Sequence, residues 1–554
     1  MEKRFFLALL LTGAVVVLTP LLFPRPVVPP TTNADSLRAP EARVSSPRDD
    51  RATAGVISPR RSASSGVRTS GDAIARAAAE TVSVRSARSV LSFSTQGAAP
   101  YAVRADSFPA LNGGGGPVVL RHGSDPLLRY RVVSANDTIA LDSTQFGATT
   151  DSSAAGVHTV TFSAKTRSGE ARITYTLPRD DYLSTINVRV SGVANPSFLL
   201  VDLPTGFDTQ EADSAGDLRL LAYAVKPTTR GARGTAFSSL DSGEKKFEPG
   251  PISWAVAKSK YFLVGILSPV NGPAFAEAHL AGGIRRRKAA TNGSATIVIP
   301  LQNGVATFEL YAGPQSWERL HRIGREFETA NPYGGWLQPI VQPFSTIVMR
   351  VLLWMKKVVR VDYGWVLVIF GVAVRLLMWP LNQTAMRTSL RMQRIQPELQ
   401  EVQRKYKSDP QKQQQEIMRV YKEHGMSPFS AFSGCLPALI PMPVLMALFF
   451  VFQNTIEFRG VSFLWLRDIS LHDPLYILPL FMGVTMFALS WIGMRNMPPN
   501  PQSKMISYML PVMLTVFLLQ SAAGLSLYYT VQNLAALPQQ WLIANERARA
   551  KQSA

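Results

Sequence analysis

Trp365-Val-Leu-Val-Ile-Phe-Gly-Val-Ala-Val-Arg375-Leu-Leu-Met-Trp-Pro380 reads as a membrane span with an arginine in its middle. A guanidinium keeps its charge in a protein, and placing one at the bilayer centre costs about 2.5–3.5 kcal/mol on insertion scales. No Asp or Glu lies in any of the C-terminal apolar segments, so no counter-ion is built in. Two readings of Arg375 stand. It faces a water-accessible recess and attracts something negative that visits, or it snorkels past Trp379 and Pro380 to the interface, at about 1.5 Å of helix per residue.

Outward from this stretch, further apolar segments lie at 436–453, 475–494 and 505–544. The last is too long for one crossing, because a helix of about 40 residues is about 60 Å long and the hydrocarbon layer only about 30 Å thick. Ser521-Ala-Ala-Gly524 is the expected turn, giving spans at 505–520 and 525–544. Residues 1–24 open with Met-Glu-Lys-Arg and an apolar run, a signal peptide or an anchor; the bulky residues around Pro24 favour an uncleaved anchor. The total is then six spans, with 364–381 as the second and 436–545 holding the other four.

Charge orients them. The segment 382–434 carries nine Lys/Arg, whereas the 454–474 loop carries only Arg459 and Arg467. The positive-inside rule puts 382–434 and both termini in the cytoplasm. That segment reads as two helices broken at Ser408-Asp409-Pro410, with apolar residues at three- and four-residue steps, a helical hairpin. Its basic face suits ribosomal RNA, lipid or plain solvent. A short basic tail occupies 546–554.

Residues 25–85 are rich in Pro, Ser, Thr, Ala and Arg, with too little apolar surface to fold, and read as a disordered linker. Residues 86–315 change character. Alternating runs such as Ala171-Arg-Ile-Thr-Tyr-Thr-Leu177 and Thr185-Ile-Asn-Val-Arg-Val190, separated by Gly, Asn, Asp and Ser, predict a large all-β sandwich outside the membrane. Residues 316–330 have helical spacing, and 337–359 mixes apolar residues with Arg350, Lys356 and Lys357. Within the 316–363 connection, this second piece is expected to lie on the membrane face as an amphipathic helix.

A net charge of +20 points to anionic partners such as lipid headgroups. The single Cys435 excludes an intrachain disulfide and a multi-cysteine zinc site. His122, His158 and His279 have no metal or triad spacing, so no metal, cofactor or catalytic residue is expected.

The ordered set Trp379-Pro380-Leu381, Gln396-Pro397, Glu416-Ile417-Met418, Tyr421-Lys422, Ser427-Pro428, Gly434-Cys435-Leu436-Pro437, Met442-Pro443, Asp473-Pro474, Ile477-Leu478-Pro479, Gly524-Leu525 and Leu527-Tyr528-Tyr529 resembles the YidC-type membrane protein insertases. More weakly, Arg179-Asp180-Asp181-Tyr182, Trp254 and Lys260-Tyr261-Phe262 look like the periplasmic domain of the Gram-negative type. The resemblance implies a polytopic α-helical protein of the bacterial inner membrane, not an enzyme, with a five-helix insertase core. In that core a hydrophilic groove opens to the cytoplasm and lipid. Arg375 falls on the groove arginine and Tyr529 on a substrate-contacting tyrosine. Beside them, Tyr528, Gln532 and Asn533 are candidate groove residues, the last two equally suited to joining helices. The implied partners are nascent membrane proteins, with a Sec-type translocon, the ribosome at the hairpin and anionic lipids as further candidates, and no DNA.

The chain departs from the family at Gly371, where a hydroxyl residue is frequent, at Pro441 for a common Gln and at Ser427 for a common Asn. Its tail also lacks the long lysine-rich extension of some members. A secondary transporter is one rival reading, although the spans hold no ionisable coupling site besides Arg375. A membrane-anchored enzyme working through the sandwich is the other.

Overall fold

Inward-facing residues alternate with outward-facing ones along most strands of an all-β domain. In Glu170–Leu177, Ala171, Ile173, Tyr175 and Leu177 point inward; in its antiparallel neighbour Leu183–Val190, Ile186, Val188 and Val190 do the same. The computed structural model describes residues 80–135, 137–153, 156–286, 289–332, 338–407, 409–425, 442–495 and 501–552. The anchor at 1–24, most of the 25–85 linker, Ser427, Cys435, Pro441 and the start of the 436–453 segment lie outside them.

Strands Thr81–Arg85, Ser89–Ser94, Ala99–Pro109 and Pro117–Leu120 form a four-stranded antiparallel sheet in chain order. The first of these falls inside the stretch read as linker; Val82 and Val84 supply an alternation too short to stand out from a Ser- and Arg-rich background. A second, 14-stranded antiparallel sheet carries the rest. Its long strand Lys245–Lys258 pairs with Phe275–Gly282 up to Ile252 and with Phe262–Leu267 from Trp254 onward, so one strand belongs to both halves of the sheet. Ala222–Pro227 and Phe262–Leu267 are buried along their whole length, as strands covered on both faces must be.

The core holds Phe93, Tyr130, Phe162, Tyr175, Trp254 and Phe308 without exposure, and a fully buried Phe contributes about 1.5–3 kcal/mol. Its polar atoms are met. Tyr175 donates to the Ala98 carbonyl at 2.8 Å, which leaves Tyr130 to donate to Tyr175, also at 2.8 Å.

The helices are α1 (Ser214–Arg219), α2 (Trp317–Ile323), α3 (Gln338–Val359), α4 (Tyr363–Lys405), α5 (Pro410–Glu423), α6 (Met442–Asn454), α7 (Ile477–Met494), α8 (Pro501–Leu518) and α9 (Ala523–Gln552). The helical spacing over 316–330 gives a shorter helix than expected. It stops at Gly324, whose φ of +79° suits a residue without Cβ, and Arg325 and Glu326 continue in the left-handed region. Tertiary contacts impose this turn. Arg325 is drawn to Glu309 at 2.5 Å, and Phe327 packs edge-on against Trp254 and Tyr311.

Helix α4 continues beyond its apolar first half, and α5 folds back on its far end through Ile395, Leu399, Val420 and Tyr421. The turn forms where Asp409 caps α5, accepting from the Lys412 N–H at 3.1 Å, with Pro410 in the first helical turn. Within the helical block, Tyr363–Leu381 and α7 are long and apolar enough to cross a membrane, with mean hydropathies of 1.9 and 1.8. Pro443–Asn454 and Ser507–Leu518 are apolar but shorter. Leu376, Leu377, Leu480, Val484, Trp491, Val512, Phe517 and Trp541 face outward, an apolar exterior that suits lipid rather than water.

The β domain is seated on the loop between α6 and α7. Arg459 reaches Glu211 at 2.8 Å and donates to the Pro109 carbonyl, also at 2.8 Å. Tyr261 donates to Ser470 Oγ at 2.9 Å, and Ser470 in turn bonds Asp468. Ser316 donates to Glu457, and Asn331 to Asn454. Helix α3 packs on the helical block through Val348, Met349, Leu352 and Leu353.

Candidate functional site

Arg375 sits on the first half of α4, and Gln539 lies opposite on α9. Arg375 Nη2 donates to Gln539 Oε1 at 2.6 Å. Among the described residues no carboxylate lies within ion-pair distance of this guanidinium. Its Nε and the Gln539 Nε2 are buried without hydrogen-bond partners among those residues. The side chain is partly buried against α9, and its described bond runs across the bundle to that helix rather than along α4 toward an interface.

The other candidate residues line up along α9. Gln532 Nε2 donates to the Gly371 carbonyl of α4 at 2.6 Å. Asn533 Nδ2 donates to Met482 O at 3.3 Å and to Thr485 Oγ1 at 3.1 Å, both on α7. Tyr528 is fully buried against Phe370, and Tyr529 is 6% exposed in the same apolar cluster. Gln532 and Asn533 thus bond α9 to α4 and to α7 in this arrangement. All four α9 residues face their neighbours in this arrangement rather than an open groove wall. The reason is geometric: α9 lies against α4, α6 and α7, so most of its circumference is covered.

Gly371 sits at the close approach of α4 and α9. A Cβ there would meet Val531 Cγ1 at 3.0 Å and Tyr528 Cδ2 at 3.6 Å. Where the family often carries a hydroxyl residue, this chain leaves room for the Val531 and Tyr528 side chains, and the Gly371 carbonyl accepts from Gln532.

Sequence reasoning missed Gln539 and Thr485. A Gln toward the end of one apolar tract and a Thr inside another are unremarkable singly, and only the packing of α9 gives them partners. His158 bonds Ser152, His279 bonds Glu277, and His122 lies 3.8 Å from Asp208. No cluster of three or more potential metal ligands occurs among the described residues.

These features define an integral membrane protein with a partly buried arginine in its helical core and a large β domain. A family model described as the 60Kd inner membrane protein matches residues 354–551, and one described as the YidC periplasmic domain matches residues 81–347. The membrane protein insertase YidC of Anaeromyxobacter dehalogenans (strain 2CP-C) is 30% identical over 406 residues, 71% of this chain and 70% of its own. That of Chlorobaculum tepidum is 29% identical over 395 residues, 67% of this chain and 64% of its own. A crystal structure of an active YidC insertase with its first transmembrane domain resolved covers 83% of this chain and 92% of its own, at 18% identity and a TM-score of 0.34. The chain belongs to the YidC family of membrane protein insertases, and is a bacterial inner-membrane protein with a periplasmic β domain. The transporter and enzyme readings are not favoured by these matches.

Proposed function

We propose that this insertase takes nascent membrane proteins into the bilayer through a cytoplasm-open hydrophilic groove whose working group is Arg375, alone or with a Sec-type translocon. The observation that supports it is the state of that arginine. It lies in a helix segment of mean hydropathy 1.9, holds no carboxylate among the described residues and is met by a neutral amide. A client that must move a polar flank across about 30 Å of hydrocarbon finds much of that slab removed by a wet recess. An acidic flank is drawn to the cation more strongly there than in water. Tyr528, Tyr529, Gln532 and Asn533 are covered in the closed arrangement, so on this reading they meet a client when the bundle opens.

The topology that goes with this reading has six spans, with the α4–α5 hairpin and both termini in the cytoplasm. The hairpin is a docking point for the ribosome. Helix α3 lies on the outer face of the membrane. Its exposed Ile340, Phe344, Ile347, Val351, Trp354 and Val358 recur at three- and four-residue steps, with the exposed Arg350, stacked over Trp317, beside them for anionic headgroups, while Lys357 is paired with Glu318.

Photocrosslinkers placed at positions 375 and 529 should capture a ribosome-stalled client. Capture at neither position, by a protein that still inserts the client, would refute the groove reading.

A further inference from the structure

We infer that Gln539 is a stand-in for the client carboxylate: it caps Arg375 while the site is empty and gives way to an acidic flank. The inference rests on the proposed attraction of acidic clients to Arg375 and adds what selects them.

A guanidinium has five N–H donors and no acceptor. The group 2.6 Å from Arg375 Nη2 must therefore be the amide oxygen of Gln539, which turns the amide nitrogen away. Among the described residues that nitrogen has no partner, although Gln539 is only 2% exposed, and Arg375 Nε has none either. The contact is thus one hydrogen bond between two groups that each keep an unmet buried donor. A carboxylate offers two acceptor oxygens in the plane of the guanidinium and can take Nε and Nη2 together, as a bidentate pair. The amide holds the cation in place but loses the exchange to an acidic client, and neutral flanks have nothing to exchange. A glutamate at the same position would form a permanent internal pair in a low-dielectric setting. A visiting carboxylate would have to break that pair first, so the arginine would be silenced.

The test uses the full-length protein in proteoliposomes and two single-span clients differing only in three Asp or three Asn in the translocated flank. The readout is the ratio of their insertion rates within one preparation, in which the folded fraction cancels. Wild-type protein should favour the acidic client, and Arg375→Ala should abolish the preference. Gln539→Glu should lower the ratio about tenfold, to near the Arg375→Ala value, whereas Gln539→Leu should keep or raise it. An unchanged ratio in Gln539→Glu, or equal slowing of both clients, overturns the role of Gln539 while leaving the Arg375 reading intact. A ratio lowered by Gln539→Leu overturns it as well, since the amide would then be helping to attract the flank. A preference that survives Arg375→Ala removes the underlying reading and this inference with it.

Discussion

The Arg459 guanidinium lies 2.8 Å from the Glu211 carboxylate, with side chains only 2% and 7% exposed, and this pair ties the β domain to the loop between α6 and α7. Breaking such a pair from one side strands a buried charge, at a cost of about 3–5 kcal/mol. Arg459→Met or Glu211→Leu alone should lower the thermal midpoint of the detergent-solubilised protein markedly. The double substitution should recover most of the loss, because neither charge is then stranded.

The same pair has a pH signature. Burial raises the Glu211 carboxyl above its ordinary range and outweighs the opposing pull of Arg459; burial likewise raises Asp217. A carboxyl with a raised folded-state pKa binds its proton more tightly folded than unfolded. Its contribution to stability is therefore full below the ordinary carboxylate value and is lost as pH rises through the raised one. The midpoint of the wild type relative to Glu211→Gln should fall across that window and level off above it. A difference that grows with pH would reverse the assignment.

Arg375→Ala should slow insertion of clients with acidic translocated flanks about tenfold, equivalent to about 1.4 kcal/mol of barrier. Arg375→Lys should keep much of the rate, since a point charge supplies the attraction, and lose what two-point pairing with a carboxylate adds. Single-turnover insertion assays separate the two. Normal rates for the alanine variant with every client would leave only steric or membrane-thinning mechanisms.

Asn533→Ala removes the two hydrogen bonds that join α9 to α7. Polar contacts between membrane helices average about 0.6 kcal/mol and reach about 1.7. A modest drop in thermal midpoint is expected, together with easier proteolysis of the loop between α7 and α8.

Gly371→Ser brings back the residue type frequent in the family. Its Cβ would lie 3.0 Å from Val531 Cγ1, so α4 and α9 must part by a few tenths of an ångström. Overpacking of this kind costs about 1–3 kcal/mol. Thermal denaturation should show the loss, and pairing with Val531→Ala should recover part of it.

What the sequence displays is what repeats locally. Alternation marked Glu170–Leu177 and Leu183–Val190 as strands, three- and four-residue spacing marked both arms of the hairpin, and Asp409-Pro410 marked its turn. Arg375 stood out because its surroundings are uniformly apolar. The contacts of Gln539 with Arg375 and of Glu211 with Arg459 join residues 164 and 248 positions apart and leave no periodic trace. Gly324 was hidden for the opposite reason: the surrounding pattern is helical, and the pull of Arg325 and Phe327 toward the β domain overrides it.

The bonds that α9 makes also set an order of events during synthesis. Helices α4 and α7 are translated before the segment that supplies their shared polar contacts. At about 5–20 residues per second, Arg375 leaves the peptidyl-transferase centre roughly 8–33 s before Gln539, from which it is separated by 164 positions. Through that interval an insertase under construction is itself a membrane protein with an unmet cation, in need of the same service it will later provide.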